Sequence, residues 1–240
     1  MSLTNIIKRA PVVIIGIPAL IGITLYTHDI FMVFFTIAGL LILNEVYRMS
    51  RPNGTEPNVW VGYLVYLSLV GDQLLGEGNN LGAVLIVSIL ILLTWEMFRK
   101  KPHVMENVAS SFFAATFVAL AMSYFISLQQ LGFNGQGGHL GGYAVLTVFI
   151  GVWTCDTMAY FIGSAIGKHK IFPRVSPNKS WEGSISGLIG SLIALVLIVR
   201  ADWLPGLDYT DALILGLITG VAGQLGDFAE SLVKRDVGVK

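Results

Sequence analysis

Eight stretches of this chain run apolar for about the twenty residues a helix needs to cross roughly 30 Å of hydrocarbon. They lie at 9–27, 30–48, 58–76, 80–98, 108–128, 141–163, 184–201 and 210–231. Hydrophobic residues make up 54% of the chain and charged ones only 12%, about half the share of a soluble domain. A chain of this kind cannot keep its surface in water, so the expected fold is all-α, a polytopic membrane bundle of about eight helices. Breakers sit between the stretches: Thr27-His28-Asp29, Arg51-Pro52-Asn53-Gly54, Gly76-Glu77-Gly78, Lys101-Pro102, a glycine-rich run over 132–142, and Leu204-Pro205-Gly206. Lys8 and Arg9 precede the first stretch as in a signal peptide, but no clear small-x-small cleavage site follows, which reads as a retained span. Five spans are expected in 1–140 and about three in 141–240, the region that also carries the basic loop 163–183.

Charge placement orients the bundle. Lys plus Arg and Asp plus Glu both number fifteen, so net charge points to no nucleic-acid partner. With the N-terminus inside, the inner segments hold Lys8, Arg9, Arg48, Arg51, Arg99, Lys100, Lys101, Lys168, Lys170, Arg174, Lys179, Lys234, Arg235 and Lys240. Only Arg200 falls outside, as the positive-inside rule requires. Miscounting the spans by one would scatter these residues over both faces. The expected location is an integral protein of the inner, cytoplasmic membrane, with its polar site facing the cytoplasm.

The sixth loop, 163–183, concentrates Lys168, His169, Lys170, Arg174, Lys179 and Glu182 with two prolines and Trp181. Positive-inside bias and contact with anionic headgroups would account for the charge alone. Its shape also suits a phosphate-bearing ligand. Asp156 lies inside the sixth apolar stretch, where a carboxylate needs a cation, a structural partner or a proton-relay role. On a helix, Tyr160, Gly163 and Gly167 would share its face. The eighth stretch closes with Asp227, Glu230, Ser231 and Lys234 at i, i+3, i+4 and i+7, which puts two carboxylates, a hydroxyl and an ammonium on one face. Glu230 and Lys234 alone would be an ordinary helix pair. Asp227 is set deeper, among Leu225, Phe228 and Ala229.

Carboxylates and clustered cations without a nucleophile are what phosphoryl or nucleotidyl transfer uses, since the acids hold Mg²⁺ and the cations offset phosphate charge. The histidines (His28, His103, His139, His169) are dispersed, no G-x-S-x-G elbow occurs, and no G-x-x-x-x-G-K-[ST] loop is present. The single cysteine, Cys155, excludes an internal disulfide and reads as a packing residue. Without an internal repeat, and with spans one, three and four almost free of central polar residues, an anion transporter is the weaker alternative.

Four ordered motifs carry a resemblance: Asp156-Thr157-Met158-Ala159-Tyr160-Phe161-x-Gly163, then Gly167-Lys168-His169-Lys170, then Ser176-Pro177-Asn178-Lys179-Ser180-Trp181-Glu182-Gly183, and Gly226-Asp227-x-x-Glu230-Ser231-x-x-Lys234-Arg235. Over 152–240 the chain resembles the phosphatidate cytidylyltransferases, or CDP-diacylglycerol synthases. The resemblance implies that CTP and phosphatidic acid give CDP-diacylglycerol and pyrophosphate in phospholipid biosynthesis. It further implies Asp227 and Asp156 as Mg²⁺ ligands, with room for a second cation. Asp156, Lys179, Asp227, Lys234 and Arg235 are then catalytic, and Lys168, Arg174, Ser176, Lys179, Glu230, Ser231, Lys234 and Arg235 bind substrate. Trp181 and Glu182 shape the loop.

Met158, Asn178 and Ser180 replace residues usual in the family, which are small, Lys and Thr respectively. The family signature continues past Lys240 to an acidic residue and a further span, so the expectation is that this sequence carries only part of the metal site. Such a chain would be half of a split enzyme completed by a separate polypeptide, or a non-catalytic fragment; a homodimer is a further expected partner.

Overall fold

The computed structural model describes residues 3–50, 54–131, 139–236 and 238, with side chains in the first helix from Ile14 onward. The side chains of Lys8 and Arg9, together with Arg51, 132–138 and Lys240, lie outside the described residues. Among the described residues eight helices follow in order: α1 Leu3–Tyr26, α2 His28–Ser50, α3 Val59–Leu75, α4 Leu81–Arg99, α5 Val104–Gln130, α6 Leu140–Ile166, α7 Trp181–Arg200 and α8 Tyr209–Asp236. Each coincides with an apolar stretch. The described residues contain no strand, only an isolated antiparallel bridge between Lys170 and Ser180. α2, α4, α5, α6, α7 and α8 are long and apolar enough to cross a membrane; α3, at 17 residues, is shorter. Large side chains such as Ile86, Phe98, Phe113, Phe117 and Leu213 stay exposed along them, as a lipid-facing surface requires. The chain is a polytopic membrane helix bundle.

The chain forms two compact units. One, 27–130, holds α2 to α5. Its core is built by phenols seated on glycines: Tyr47 fills the space beside Gly62 and Tyr66 that beside Gly39, and each ring is fully buried. Their hydroxyls donate to the carbonyl oxygens of Ser111 (2.8 Å) and Thr36 (3.1 Å), so neither phenol is left unsatisfied in the apolar core. Asn58 begins α3 by accepting from the Val61 N–H, and its own N–H donates to Ser111 Oγ at 2.7 Å. The Glu96 carboxylate, only 1% exposed, pairs with Arg99 one turn on, and Lys101 reaches Glu56 at 3.1 Å.

The other unit joins α1 to α6, α7 and α8. α1 lies on α6 where Gly142 leaves room for the Thr24 carbonyl, 2.6 Å from where a Cβ would stand. α6, α7 and α8 pack through small residues, which substitute for a hydrophobic drive between helices in lipid. Gly183 and Gly187 of α7 meet the Ala159 and Cys155 carbonyls of α6, a Cβ at either falling 2.7 Å from the oxygen. Gly216 and Gly220 of α8 meet Leu192 and Leu188 of α7. Across the same packing, Ser191 and Thr219 share a buried hydroxyl bond at 2.8 Å.

Candidate functional site

Close packing of α6 on α7 carries the polar end of both helices into one place. α6 continues past Gly163 to Ile166, a turn beyond the apolar stretch, because the Gly167 N–H still finds the Gly163 carbonyl at 3.1 Å. α7 starts at Trp181, three residues ahead of its apolar run, because Ser180 caps it: its hydroxyl accepts from the Gly183 N–H at 3.3 Å. Gly167 is required here, since a side chain would collide with Ser180 and the Gly163 carbonyl.

The connecting segment is thereby shortened to 167–180, and it is shaped. The Ile171 N–H donates to the Lys179 carbonyl at 3.3 Å and the Trp181 N–H to the His169 carbonyl at 2.9 Å, which draws the two ends together. Inside, the Val175 and Ser176 N–H groups donate to Phe172, and the Lys179 N–H to Ser176, making a compact turn around Pro173 and Pro177. Glu182, in the first turn of α7, accepts from the His169 N–H at 3.2 Å and contacts its Nδ1 at 2.6 Å. The loop is fixed at its mouth by this clasp.

Between loop and helices lies a cavity of about 570 Å³, lined by Asp156 and Tyr160 from α6, Lys170, Asn178 and Lys179 from the loop, and Gln224 and Asp227 from α8. Gly163, Gly167 and Gly183 form part of its wall, so backbone rather than side chain faces the space. Lys179 Nζ bonds Asp227 Oδ2 at 2.8 Å, with the side chains 28% and 47% exposed. This pair is open to a ligand and offers both charge signs. The ammonium also sits 4.5 Å from the centroid of Phe228, whose ring meets Phe172 edge-on. Gln224 spends its amide N–H on the Ser184 carbonyl at 3.0 Å and the Cys155 sulfur at 3.4 Å.

Of the residues expected from the sequence, Asp156, Lys179 and Asp227 line the cavity together. The others do not line it. Lys168 and Arg174 are exposed on the loop, Ser176 is within its turn, and Ser231 is half-buried on α8. Glu230 pairs with Lys234, and Arg235 Nε donates to the Val175 carbonyl at 3.3 Å, tying the end of α8 to the loop. Lys170, Asn178 and Gln224 line the cavity without having been singled out. Lys170 belonged to the basic loop already noted. Gln224 stands three residues before Asp227 in an apolar run, the same one-face spacing that marked Glu230.

Asp156 and Asp227 fit a magnesium ion of the kind held by one or two carboxylates plus substrate phosphates. Among the described residues no group of three or more His, Cys, Asp or Glu could enclose a metal by itself. Such an ion would therefore depend on the nucleotide for its remaining ligands.

A multi-span helical bundle thus carries a cavity lined by carboxylates and ammonium groups where a shaped basic loop meets three close-packed spans. The Cytidylyltransferase family model matches residues 7–240, and the chain belongs to that family. It is thus a membrane nucleotidyltransferase. Among similar proteins is the phosphatidate cytidylyltransferase of Staphylococcus haemolyticus (strain JCSC1435), 30% identical over 97% of this chain and 86% of the relative. That of Staphylococcus saprophyticus is 31% identical over 95% and 83%. The Bacillus subtilis (strain 168) enzyme of the same name is 28% identical over 84% and 74%.

Proposed function

We propose that this chain transfers the cytidylyl group of CTP to phosphatidic acid, giving CDP-diacylglycerol and pyrophosphate, at a cavity facing the cytoplasm. The observation that carries this reading is Asp156, Lys179 and Asp227 lining one cavity at the loop-bearing end of α6, α7 and α8, where a soluble nucleotide and a lipid headgroup can both reach. The relatives' shared name supplies the lipid acceptor.

An oxygen of the lipid phosphate attacks the α-phosphorus of CTP as the bond to the bridging oxygen breaks, and that electron pair leaves with pyrophosphate. The attacking oxygen is already anionic at neutral pH, so no strong general base is needed, in keeping with a cavity that lacks histidine. Magnesium, when bound by Asp156 and Asp227, would neutralise charge on the phosphates and fix their orientation. Lys179 can exchange Asp227 for a phosphate oxygen with little loss, because the pair is half-open to solvent. Lys170 adds a second ammonium from the loop. Gly163, Gly167 and Gly183 close the helix packing behind the cavity, and Tyr160 offers a ring at its wall. Lys168 and Arg174, exposed on the loop, would draw anionic substrates to the mouth.

The test is CTP-dependent formation of CDP-lipid in membranes containing the protein. Asp227→Asn is expected to lower turnover by about 10³-fold or more while expression and detergent-extracted fold are retained. Full activity in that variant would sink the reading.

A further inference from the structure

A second cavity, of about 330 Å³, adjoins the polar one. Phe172, Ile185, Leu188, Val221, Leu225 and Phe228 furnish most of its wall, so it is a hydrocarbon groove between α7 and α8 that opens beside the loop. Ser184 and Gln224 border both cavities, and the Gln224 amide is engaged by the Ser184 carbonyl, so the partition turns little polarity toward the groove. Phe228 is the other part of that partition. Its ring lines the groove, while the Lys179 ammonium, which lines the polar cavity, lies 4.5 Å from its centroid.

The groove has a direction. It starts at Phe172 and Trp181 beside the loop and reaches Leu188, seven residues along α7, about 10 Å deeper at 1.5 Å per residue. A ligand that places a phosphate at Lys179 and carries an apolar chain on a short linker can fill both spaces at once, and the second contact then gains from the first being made. Pyrophosphate, CTP and a headgroup without a chain use only the polar side.

We propose that this groove seats an acyl chain of the lipid acceptor and sets the chain length the enzyme prefers, a specificity subsite that rests on the cytidylyl-transfer reading above. Val221 and Leu225 are exposed on the α8 side, 45% and 61% respectively, so a larger ring there fills the groove without entering the α7 and α8 packing.

Val221→Trp and Leu225→Trp in membranes are expected to raise KM for long-chain phosphatidic acid about tenfold. KM for dihexanoyl phosphatidic acid and for CTP should stay within about twofold by the same reasoning. Leu217→Trp, exposed on α8 but outside the groove, should leave all three unchanged. Equal effects on short and long chains, or none, overturn the assignment.

Photolabelling reads the groove without turnover. Phosphatidic acid with a diazirine at the chain end should label peptides spanning 181–188 and 221–228, and Val221→Trp should reduce that labelling severalfold. Equal labelling by phosphatidylcholine with the same chain marks ordinary bilayer contact, or cross-linking to a second copy marks a protein interface; either result overturns the groove. Specific labelling of a chain that forms no CDP-lipid would sustain the groove and sink the cytidylyl-transfer reading instead.

Discussion

Two ion pairs, Glu96 with Arg99 in one unit and Lys179 with Asp227 in the other, sit in opposite settings. In the unit of α2 to α5, Glu96 is buried against Arg99, Arg99 also donates to the Glu56 carbonyl at 2.9 Å, and the Asn107 side chain accepts from the Glu56 N–H at 2.7 Å. In the unit containing α6 to α8, Lys179 and Asp227 meet at the edge of a cavity with much of each side chain accessible. A buried pair is strongly destabilising to break, whereas an accessible one contributes little to stability and keeps its charges usable. Position in the fold, rather than pairing as such, separates a structural ion pair from a chemical one.

That contrast can be broken from either side. The largest effect is expected at Lys179→Met: about 10²-fold loss of CDP-lipid formation, with melting in detergent changed by under about 1 kcal/mol, because the pair is partly solvated. Loss of the fold in that variant would place Lys179 in the structural class. Next comes Glu96→Ala, which removes the buried carboxylate from Arg99, leaves that guanidinium only its contacts with Glu56, and should lower stability by about 1–3 kcal/mol, measured as denaturant or thermal unfolding in detergent. Activity per folded molecule should be unchanged, and a selective loss of turnover would erase the distinction. Smallest is the glycine comparison. Gly187→Ala forces a Cβ to 2.7 Å from the Cys155 carbonyl and should cost about 1–3 kcal/mol, while Gly71→Ala, with open space around it, should stay within about 0.5 kcal/mol.

Hydropathy made the helices legible, because a lipid-facing helix must be apolar over its whole length and its breaks must be polar or helix-breaking. Helix ends were less so. α8 runs to Asp236, five residues past its apolar stretch, since a helix can leave hydrocarbon without ending. Asp156, Lys179 and Asp227 stood out because charge within or beside apolar sequence demands a reason. Lys170 and Asn178 could not be separated from Lys168 and Arg174, as which side chains turn inward depends on the 169–181 and 171–179 backbone bonds. The seat of α1 on α6 depends on tertiary packing at Gly142, which no local pattern reports.

The clasp at the loop mouth makes the basic segment a cassette. Its ends are held by His169, Trp181 and Glu182, while the cavity-lining side chains Lys170, Asn178 and Lys179 lie between them. A segment joined at those hinges could be exchanged between relatives without redirecting α6 or α7, and its ordering cost is borne at folding rather than when the nucleotide arrives.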